Sequence, residues 1–335
     1  MLAALLAYSQ VTLSNDEPCY YALKELIKKV EVNYAGYADN HNDSIERATN
    51  TLFDEIEKQS PQNCLPYLEQ WLGHFSDPYL KIYPQDIPFS TKVNPETTPP
   101  TLHWLADDVA LLKLPSFHAS QRQNINDLIK GNDAKLKQAD GLIVDLRGNT
   151  DGHFFVLETL LPLIGVFEFK SRWHVLASED NLQFFTRLLK RDLVINEPKY
   201  FKRYAALVAD MNTYPNTLIE FAWPWDSASD TQANIDKIFV IQDNGVGGAA
   251  EEFILAAKSN SRVTTFGVST RGKLDYVTPV PHDIFDAYQV FIPAKKRVWI
   301  SEGRINNLGI KPDVTVDITK EELGQYLYLR YMKRS

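Results

Sequence analysis

Apolar residues recur at helical spacing through the N-terminal part of the chain. Leu23, Leu26 and Val30 lie three or four positions apart, which places them on one face of a helix. The helices predicted in this way cover residues 18–34, 45–56 and 65–72. We therefore predict an N-terminal helical domain over residues 1–80.

Strand-like and helical patterns alternate in the second part of the chain. The expected strands are 109–114, 141–146 and 237–241, and the expected helices are 125–137, 154–163 and 249–259. The strands are mostly apolar, which is typical of strands buried on both faces of a parallel sheet. This pattern predicts an α/β domain.

The remaining segments set the expected domain organisation. Residues 81–100 are rich in Pro and Thr and have little periodicity, which indicates a linker or an extended crossing segment. The α/β domain then covers residues 101–335. Within it, residues 168–229 are aromatic and charged and are interpreted as an insertion of unassigned structure.

Composition and charge exclude some classes of protein for this chain. The 335 residues are 44% hydrophobic, which is enough for a sizeable core. The formal net charge is −8, and Lys and Arg are scattered along the chain. Without a basic stripe that could neutralise a phosphate backbone, we expect no nucleic-acid partner.

No apolar run is long enough to cross a bilayer. The longest run near the start is Leu2–Tyr8, far short of the roughly 20 residues that a membrane helix needs. It resembles the apolar part of an export signal without its basic flank, and a short buried or disordered segment explains it equally well. We expect no membrane span, and a periplasmic or secreted location is suggested.

Two cysteines, Cys19 and Cys64, lie 45 residues apart. Two thiols at that spacing do not define a metal site. They are either a disulfide or two buried free thiols, and the disulfide is favoured because no third cysteine competes for it. We expect neither a metal nor a cofactor.

Two glycine-containing turns are the candidate functional elements. Residues 145–152 and 243–252 each follow a predicted strand and precede a helix. Such turns direct backbone N–H groups and the positive end of a helix dipole at one place, where an anion, a carbonyl oxygen or a developing oxyanion can bind. Neither turn has the spacing of a nucleotide-binding motif, which disfavours a kinase or a dehydrogenase.

Four short elements follow one another along the second part of the chain. They are LIVDLRGN at 142–149, VGGAAE at 246–251, FGVSTRG at 266–272 and LGIKPD at 308–313. In this order, over roughly residues 104–318, they resemble the motifs of a known family, the tail-specific or C-terminal-processing serine peptidases. A fifth element, HFSDPYL at 74–80, resembles the branch of that family that lacks a PDZ module. The resemblance implies a core like those of ClpP and crotonase behind a helical N-terminal domain. It also implies a peptide or a protein C-terminal segment as partner, with the oligomeric state left open.

The sequence departs from the family at the residues that perform catalysis. Gly248 occupies the position of the nucleophilic serine, and Tyr79 occupies the position of the histidine. Lys273 matches the position of the lysine base in the Ser-Lys branch, and the alternative is a solvated lysine after a turn. Gly152, Gly247 and Ala249 are the expected oxyanion and peptide-binding positions.

These departures predict an inactive, peptide-binding member of the family. One alternative is an active peptidase with a rearranged site, for which the candidates are His74, His153, Ser269 and Thr270. Another is a structural scaffold whose cleft is closed by the insertion. Peptide turnover and peptide binding distinguish the three.

Overall fold

The fold was analysed in a computed structural model of the chain. It describes residues 18–87, 98–150, 152–167, 169–191, 197–224, 235–298, 303–319 and 322–333. The predicted signal-like run at 2–8 lies outside these residues.

The described elements alternate as the sequence pattern predicts. The helices are α1 Pro18–Asn33, α2 Tyr37–Asn40, α3 Asp43–Gln59, α4 Leu65–Gly73, α5 Arg122–Gly131, α6 Asp133–Leu136, α7 Leu157–Leu163, α8 Glu179–Leu188, α9 Pro198–Thr213, α10 Ala249–Ala257 and α11 Leu323–Leu327. The strands are β1 Lys81–Pro84, β2 Thr101–Ala106, β3 Val109–Lys113, β4 Gly141–Asp145, β5 Lys170–Leu176, β6 Leu218–Pro224, β7 Lys237–Gln242, β8 Val263–Gly267, β9 Tyr276–Ile284, β10 Tyr288–Arg297 and β11 Val314–Thr315. All nine predicted helices and strands are confirmed in type, although the helix expected at 125–137 is divided into α5 and α6 at Asn132.

A six-stranded sheet forms the centre of the molecule, in the order β11-β8-β7-β4-β3-β2. Its strands are parallel except for β2, which is antiparallel to β3. Alternate residues of β4 contribute to separate cores on the two faces, with Leu142 and Val144 on one face and Ile143 on the other. Burial on both faces explains why these strands are mostly apolar, and the parallel sheet confirms the predicted α/β class.

The second sheet is antiparallel and joins the helical region to the rest of the molecule. Its order is β1-β10-β5-β6, with β9 also paired to β10. Leu23 and Leu26 of α1 pack in one buried cluster with Val290 and Ile292 of β10. The described part of the helical region therefore shares its core with this sheet, and the predicted boundaries at residues 80 and 100 stay predictions.

The predicted linker and the predicted insertion both contribute to this sheet. Lys81–Pro84, the first residues of the predicted linker, pair with Tyr288–Phe291. The described parts of the 168–229 insertion form β5, α8, α9 and β6, and β5 pairs with Lys295–Arg297 of β10. The insertion is thus an extension of the sheet.

A disulfide joins Cys19 at the start of α1 to Cys64 before α4. This is the favoured of the two sequence-based alternatives. Of the helices within the described ranges, none is long and apolar enough to cross a membrane.

Candidate functional site

The two glycine-containing turns lie side by side at one edge of the central sheet. They follow β4 and β7, which are parallel neighbours, so both turns lie at carboxyl ends of strands. The Gly148 N–H donates to Oδ1 of Asp243 at 3.1 Å, and the Gly247 N–H donates to the carbonyl oxygen of Asn149 at 2.9 Å. These hydrogen bonds join the two turns, residues 145–152 and 243–252, and we call the joined turns the platform.

Gly248 ends the second turn and precedes α10. Its φ is +57° and its ψ is −121°, a conformation in which a residue with a Cβ atom is strained. A sharp strand-to-helix turn of this kind holds the nucleophile in α/β-hydrolases, where the strained residue exposes its side chain. The backbone at Gly248 therefore has the form of a nucleophile turn, and the residue carries no side chain.

Glu251, in the first turn of α10, connects the second turn to the third motif. Its buried carboxylate accepts hydrogen bonds from the N–H groups of Gly248, Gly272 and Lys273 at 3.1, 2.7 and 2.8 Å, and from the Thr270 hydroxyl at 2.6 Å. Burial raises the pKa of Glu251, and these hydrogen bonds oppose that rise because they favour the charged form. The carboxylate thereby fixes Gly248 and Lys273 relative to each other.

Lys273 and Tyr79 meet next to this platform. The Lys273 Nζ lies 4.3 Å from the centre of the Tyr79 ring, within the range of a cation–π interaction. A Cβ atom built at Gly247 would lie 3.2 Å from Lys273 Cδ. The structure thus brings together Tyr79, Lys273 and Gly247, which are far apart in sequence.

Asp77 is buried and is hydrogen-bonded to the main chain of Tyr79. Its Oδ1 accepts from the Tyr79 N–H at 2.9 Å, and its Oδ2 accepts from the Tyr34 hydroxyl at 2.7 Å. Burial raises the pKa of Asp77 to about 7, although both hydrogen bonds and the charge of Lys273 act in the opposite direction. The site therefore contains a carboxyl group that titrates near neutral pH.

The predicted oxyanion positions differ in the hydrogen-bond partners of their N–H groups. The Gly247 N–H donates to the carbonyl oxygen of Asn149, and the Gly248 N–H donates to Glu251. The oxyanion role expected of Gly247 stays a prediction. Ala249 begins α10 and is buried. Its N–H belongs to the first turn, where a helix offers no carbonyl partner of its own.

Gly152 lies where the first turn approaches Phe117. A Cβ atom at Gly152 would lie 2.4 Å from the carbonyl oxygen of Phe117, and the next N–H, that of His153, donates to that same oxygen at 2.8 Å. Close packing of main chain against main chain explains the glycine, and its predicted oxyanion role stays a prediction.

The structure shows the surroundings of three candidates of the alternative, rearranged site, which stays a prediction. The Thr270 hydroxyl donates to Glu251 and accepts from the Ile310 N–H at 2.7 Å. The ring of His153 stacks on Phe155, and His74 follows the last residue of α4. Within the described ranges, no three His, Cys, Asp or Glu side chains form a cluster that could hold a metal ion.

An open groove of about 450 Å³ adjoins Asp77. Its lining includes Glu69, Leu72 and Gly73 of α4, the segment Leu80–Tyr83, and Asn307.

A parallel sheet with a sharp turn before a helix, facing a second glycine turn, is an architecture suited to acyl-transfer hydrolases. The model of peptidase family S41 matches residues 108–316, more than half of the chain and all four predicted motifs. The chain belongs to peptidase family S41, and the predicted family is confirmed. The family acts on peptides or proteins.

Solved structures of the same fold support this assignment at low sequence identity. A putative peptidase from Parabacteroides merdae is 15% identical, with a TM-score of 0.57 and coverage of 92% of each chain. A lipoprotein from Streptococcus agalactiae is 14% identical, with a TM-score of 0.55 and coverage of 93% of this chain and 96% of that one. Mature CPAF in complex with lactacystin is 11% identical, with a TM-score of 0.61 and coverage of 89% and 94%. No curated protein sequence matches the chain significantly.

Sequence reasoning missed the supporting roles of Glu251 and Asp77. A signal existed for Glu251, because an acidic residue three positions after the residue that precedes a helix is the spacing of a capping box. Asp77 gave no comparable signal, since its raised pKa results from burial by segments distant in sequence.

Proposed function

We propose that this member of peptidase family S41 binds peptides and does not cleave them by the family's serine mechanism. The observation that supports the proposal best is Gly248. It occupies a turn shaped for a nucleophile, and glycine has no hydroxyl to be activated.

The surroundings of Gly248 support the same proposal. The Thr270 hydroxyl already makes two hydrogen bonds within the fold. The Lys273 ammonium lies over the Tyr79 ring, and without a hydroxyl at residue 248 a base at residue 273 has no proton to remove. Loss of the nucleophile reduces the activity of a serine protease by roughly a million-fold.

Cleavage of a diverse peptide pool, read by mass spectrometry, tests the proposal. We expect no cleavage by the native chain and measurable cleavage by a Gly248→Ser, Tyr79→His double variant. Gly248→Ala is the matched control, because it introduces the same backbone strain, of about 1–3 kcal/mol, without a hydroxyl. A fluorophosphonate probe should label only the double variant, because its introduced serine hydroxyl is the nucleophile that the probe requires.

The alternative, an active peptidase with a rearranged site, predicts a different result. Cleavage by the native chain that persists through purification, and is lost on substitution of His153, His74 or Lys273, would refute the proposal. Absence of both cleavage and peptide binding would favour the structural scaffold instead.

We further propose that the protein functions outside the cytoplasm, in the periplasm or as a secreted protein. The Cys19–Cys64 disulfide supports this, since such bonds persist in oxidising compartments. Thiol labelling of the protein in fractionated cells tests the proposal. Free thiols at both positions in the native protein would argue against it.

A further inference from the structure

A polar cluster joins the helical region, the insertion and the antiparallel sheet. Its members are Lys29 and Asn33 of α1, the α8 N-cap Ser178, Asp180 and Asn181 in the first turn of α8, and His282 of β9. Of these six residues, Asn33, Ser178, Asn181 and His282 are buried. None of the six belongs to the platform, so the cluster is a separate feature of the fold.

Hydrogen bonds between side chains and main chain hold the start of α8 against the end of α1. The Ser178 hydroxyl donates to Oδ1 of Asn33 at 2.6 Å, and Nδ2 of Asn181 donates to the Asn33 carbonyl oxygen at 3.1 Å. Nδ2 of Asn33 donates to Oδ2 of Asp180 at 3.2 Å, and Lys29 Nζ donates to the same oxygen at 3.1 Å. Polar contacts of this kind weaken when one partner changes its charge or is left unpaired.

His282 is packed into this contact with one ring nitrogen near Asp180. Its side chain is only 3% exposed, and its Nδ1 lies 3.4 Å from Oδ2 of Asp180, which is longer than an ordinary N–H···O hydrogen bond. The other ring nitrogen, Nε2, has no hydrogen-bond partner among the described residues. A proton added to Nε2 would therefore create a buried N–H group without a protein acceptor, which destabilises the packed state.

Burial is the largest influence on the charge of His282. It lowers the pKa of His282 to about 4, because desolvation disfavours the charged form. Lys29 of α1 acts in the same direction, whereas Asp180 of α8 and the neighbouring Asp283 of β9 act against it. Asp180 does not compensate for the burial, since its Oδ2 already accepts from Lys29 and Asn33. Protonation of His282 therefore favours a state in which the ring reaches water.

We propose that His282 makes the contact between α1 and α8 an acid-sensitive latch, which releases the start of α8 from α1 when the ring is protonated. In the released state the ring is solvated, and its pKa returns to about 6.5. A histidine with a lowered pKa stabilises the closed state fully above about pH 6.5, and this contribution is lost as pH falls towards 4. The latch goes beyond the proposed function and does not depend on peptide binding.

Two other buried groups titrate at neighbouring pH and are expected to act differently. The raised pKa of Asp77 makes the whole fold gain stability as pH falls from about 7 to 4, which is the opposite sign. Lys295, whose Nζ lies 5.3 Å from the Phe185 ring of α8, has a pKa lowered to about 7, so its effect is complete below that pH. Loosening of α8 below pH 6.5 without loosening of the whole fold is therefore the expected sign of the latch.

Amide hydrogen exchange of the full-length chain, corrected for the intrinsic exchange rate at each pH, tests the latch. The reporters are the N–H groups of Asn181 and Leu182, which are both hydrogen-bonded to Ser178. We expect their protection to fall at least ten-fold between pH 7.5 and pH 5, since the linkage permits roughly 25-fold. Amides of the central strand β4 should keep their protection over the same range.

Two histidine substitutions provide the comparison. His282→Asn removes the titrating ring, and its amide can still donate to Asp180, so protection of α8 should stay within two-fold between pH 7.5 and pH 5. His103→Asn is the matched control, because His103 is an exposed histidine of β2, and this variant should respond as the native chain does.

A second measurement needs no variant, so it holds even where His282→Asn disturbs folding. Hydrogen exchange at the imidazole C2 carbon, read by mass spectrometry, gives the pKa of His282 in the native chain. A pKa near 4, together with the acid-dependent loss of protection in α8, supports the latch. Unchanged protection of α8, an equal loss in His282→Asn, or an equal loss in β4 would refute it. All of these outcomes leave the test of peptide binding unaffected.

Discussion

At the scale of single residues, Asp77 couples the fold to pH. Its carboxyl accepts hydrogen bonds from Tyr34 and Tyr79 and is buried. Burial raises its pKa to about 7 in the folded protein, whereas an unfolded chain returns it to about 3.9. Between these two pH values, the folded state therefore keeps the Asp77 proton, whereas the unfolded state has released it.

The sign of the pH effect follows from that difference. A carboxyl with a raised pKa stabilises the fold fully below about pH 4, and this contribution is lost as pH rises to about 7. A shift of this size corresponds to a loss on the order of 4 kcal/mol. Above pH 7 the fold retains a buried, charged carboxylate.

We predict that Asp77→Asn stabilises the protein at pH 8 relative to native and removes this part of the pH dependence. The Asn oxygen can accept from the Tyr79 N–H, and its amide can donate to the Tyr34 oxygen. Urea unfolding at pH 4.5 and pH 8 measures the effect. Asp54→Asn, an exposed position in α3, is the control, and equal pH dependence in native and Asp77→Asn would contradict the prediction.

At the scale of elements, a buried lysine attaches the predicted insertion to the sheet. The Lys295 Nζ in β10 lies 5.3, 5.3 and 4.7 Å from the ring centres of Phe185, Tyr204 and Phe221. These rings come from α8, α9 and β6. Burial lowers the pKa of Lys295 to about 7, since desolvation disfavours the ammonium.

We predict that Lys295→Met retains or raises stability at pH 7, while Lys295→Ala lowers it by about 2–4 kcal/mol. Methionine fills the same space without a buried charge, and alanine leaves a cavity among the rings. Thermal melts at pH 7 and pH 10 measure this, with the exposed Lys130→Met as control. Because a lowered lysine pKa makes the native fold gain stability as pH rises from 7 towards 10, that gain should be absent in Lys295→Met.

At the scale of the whole molecule, the helical region and the second sheet share one core. Buried residues of α1, α3 and α4 pack with Tyr276, Ile284, Val290 and Ile292 of β9 and β10. The Cys19–Cys64 disulfide closes a loop of 45 residues within this unit. Loosening the helical region should therefore also loosen the sheet that carries β1.

We predict that removal of the disulfide destabilises the protein by about 4 kcal/mol, the value for a loop of this length in the chain-entropy model. The measurement is urea unfolding of the native chain with and without dithiothreitol. A Cys19→Ser, Cys64→Ser variant is the control and should not respond to the reductant. An unchanged midpoint for the reduced native chain would contradict the prediction.

The sequence by itself determined the elements and the family. The apolar strands and the helical spacing of Leu23, Leu26 and Val30 depend on local periodicity, and the folded chain has those elements at nearly the predicted bounds. The four family motifs are local too, since each is a turn with its flanking strand or helix. The absence of a side chain at Gly248 is also a property of the sequence alone.

Only the tertiary structure decided what surrounds those turns. The contact of Lys273 with Tyr79, the hydrogen bond of Tyr34 to Asp77 and the three hydrogen bonds from residues 270–273 to Glu251 join segments that are distant in sequence. The same holds for the insertion, whose strand β5 pairs with β10 and whose strand β6 pairs with β5. Local patterns do not encode such contacts, because burial and strand pairing depend on which distant segments pack together.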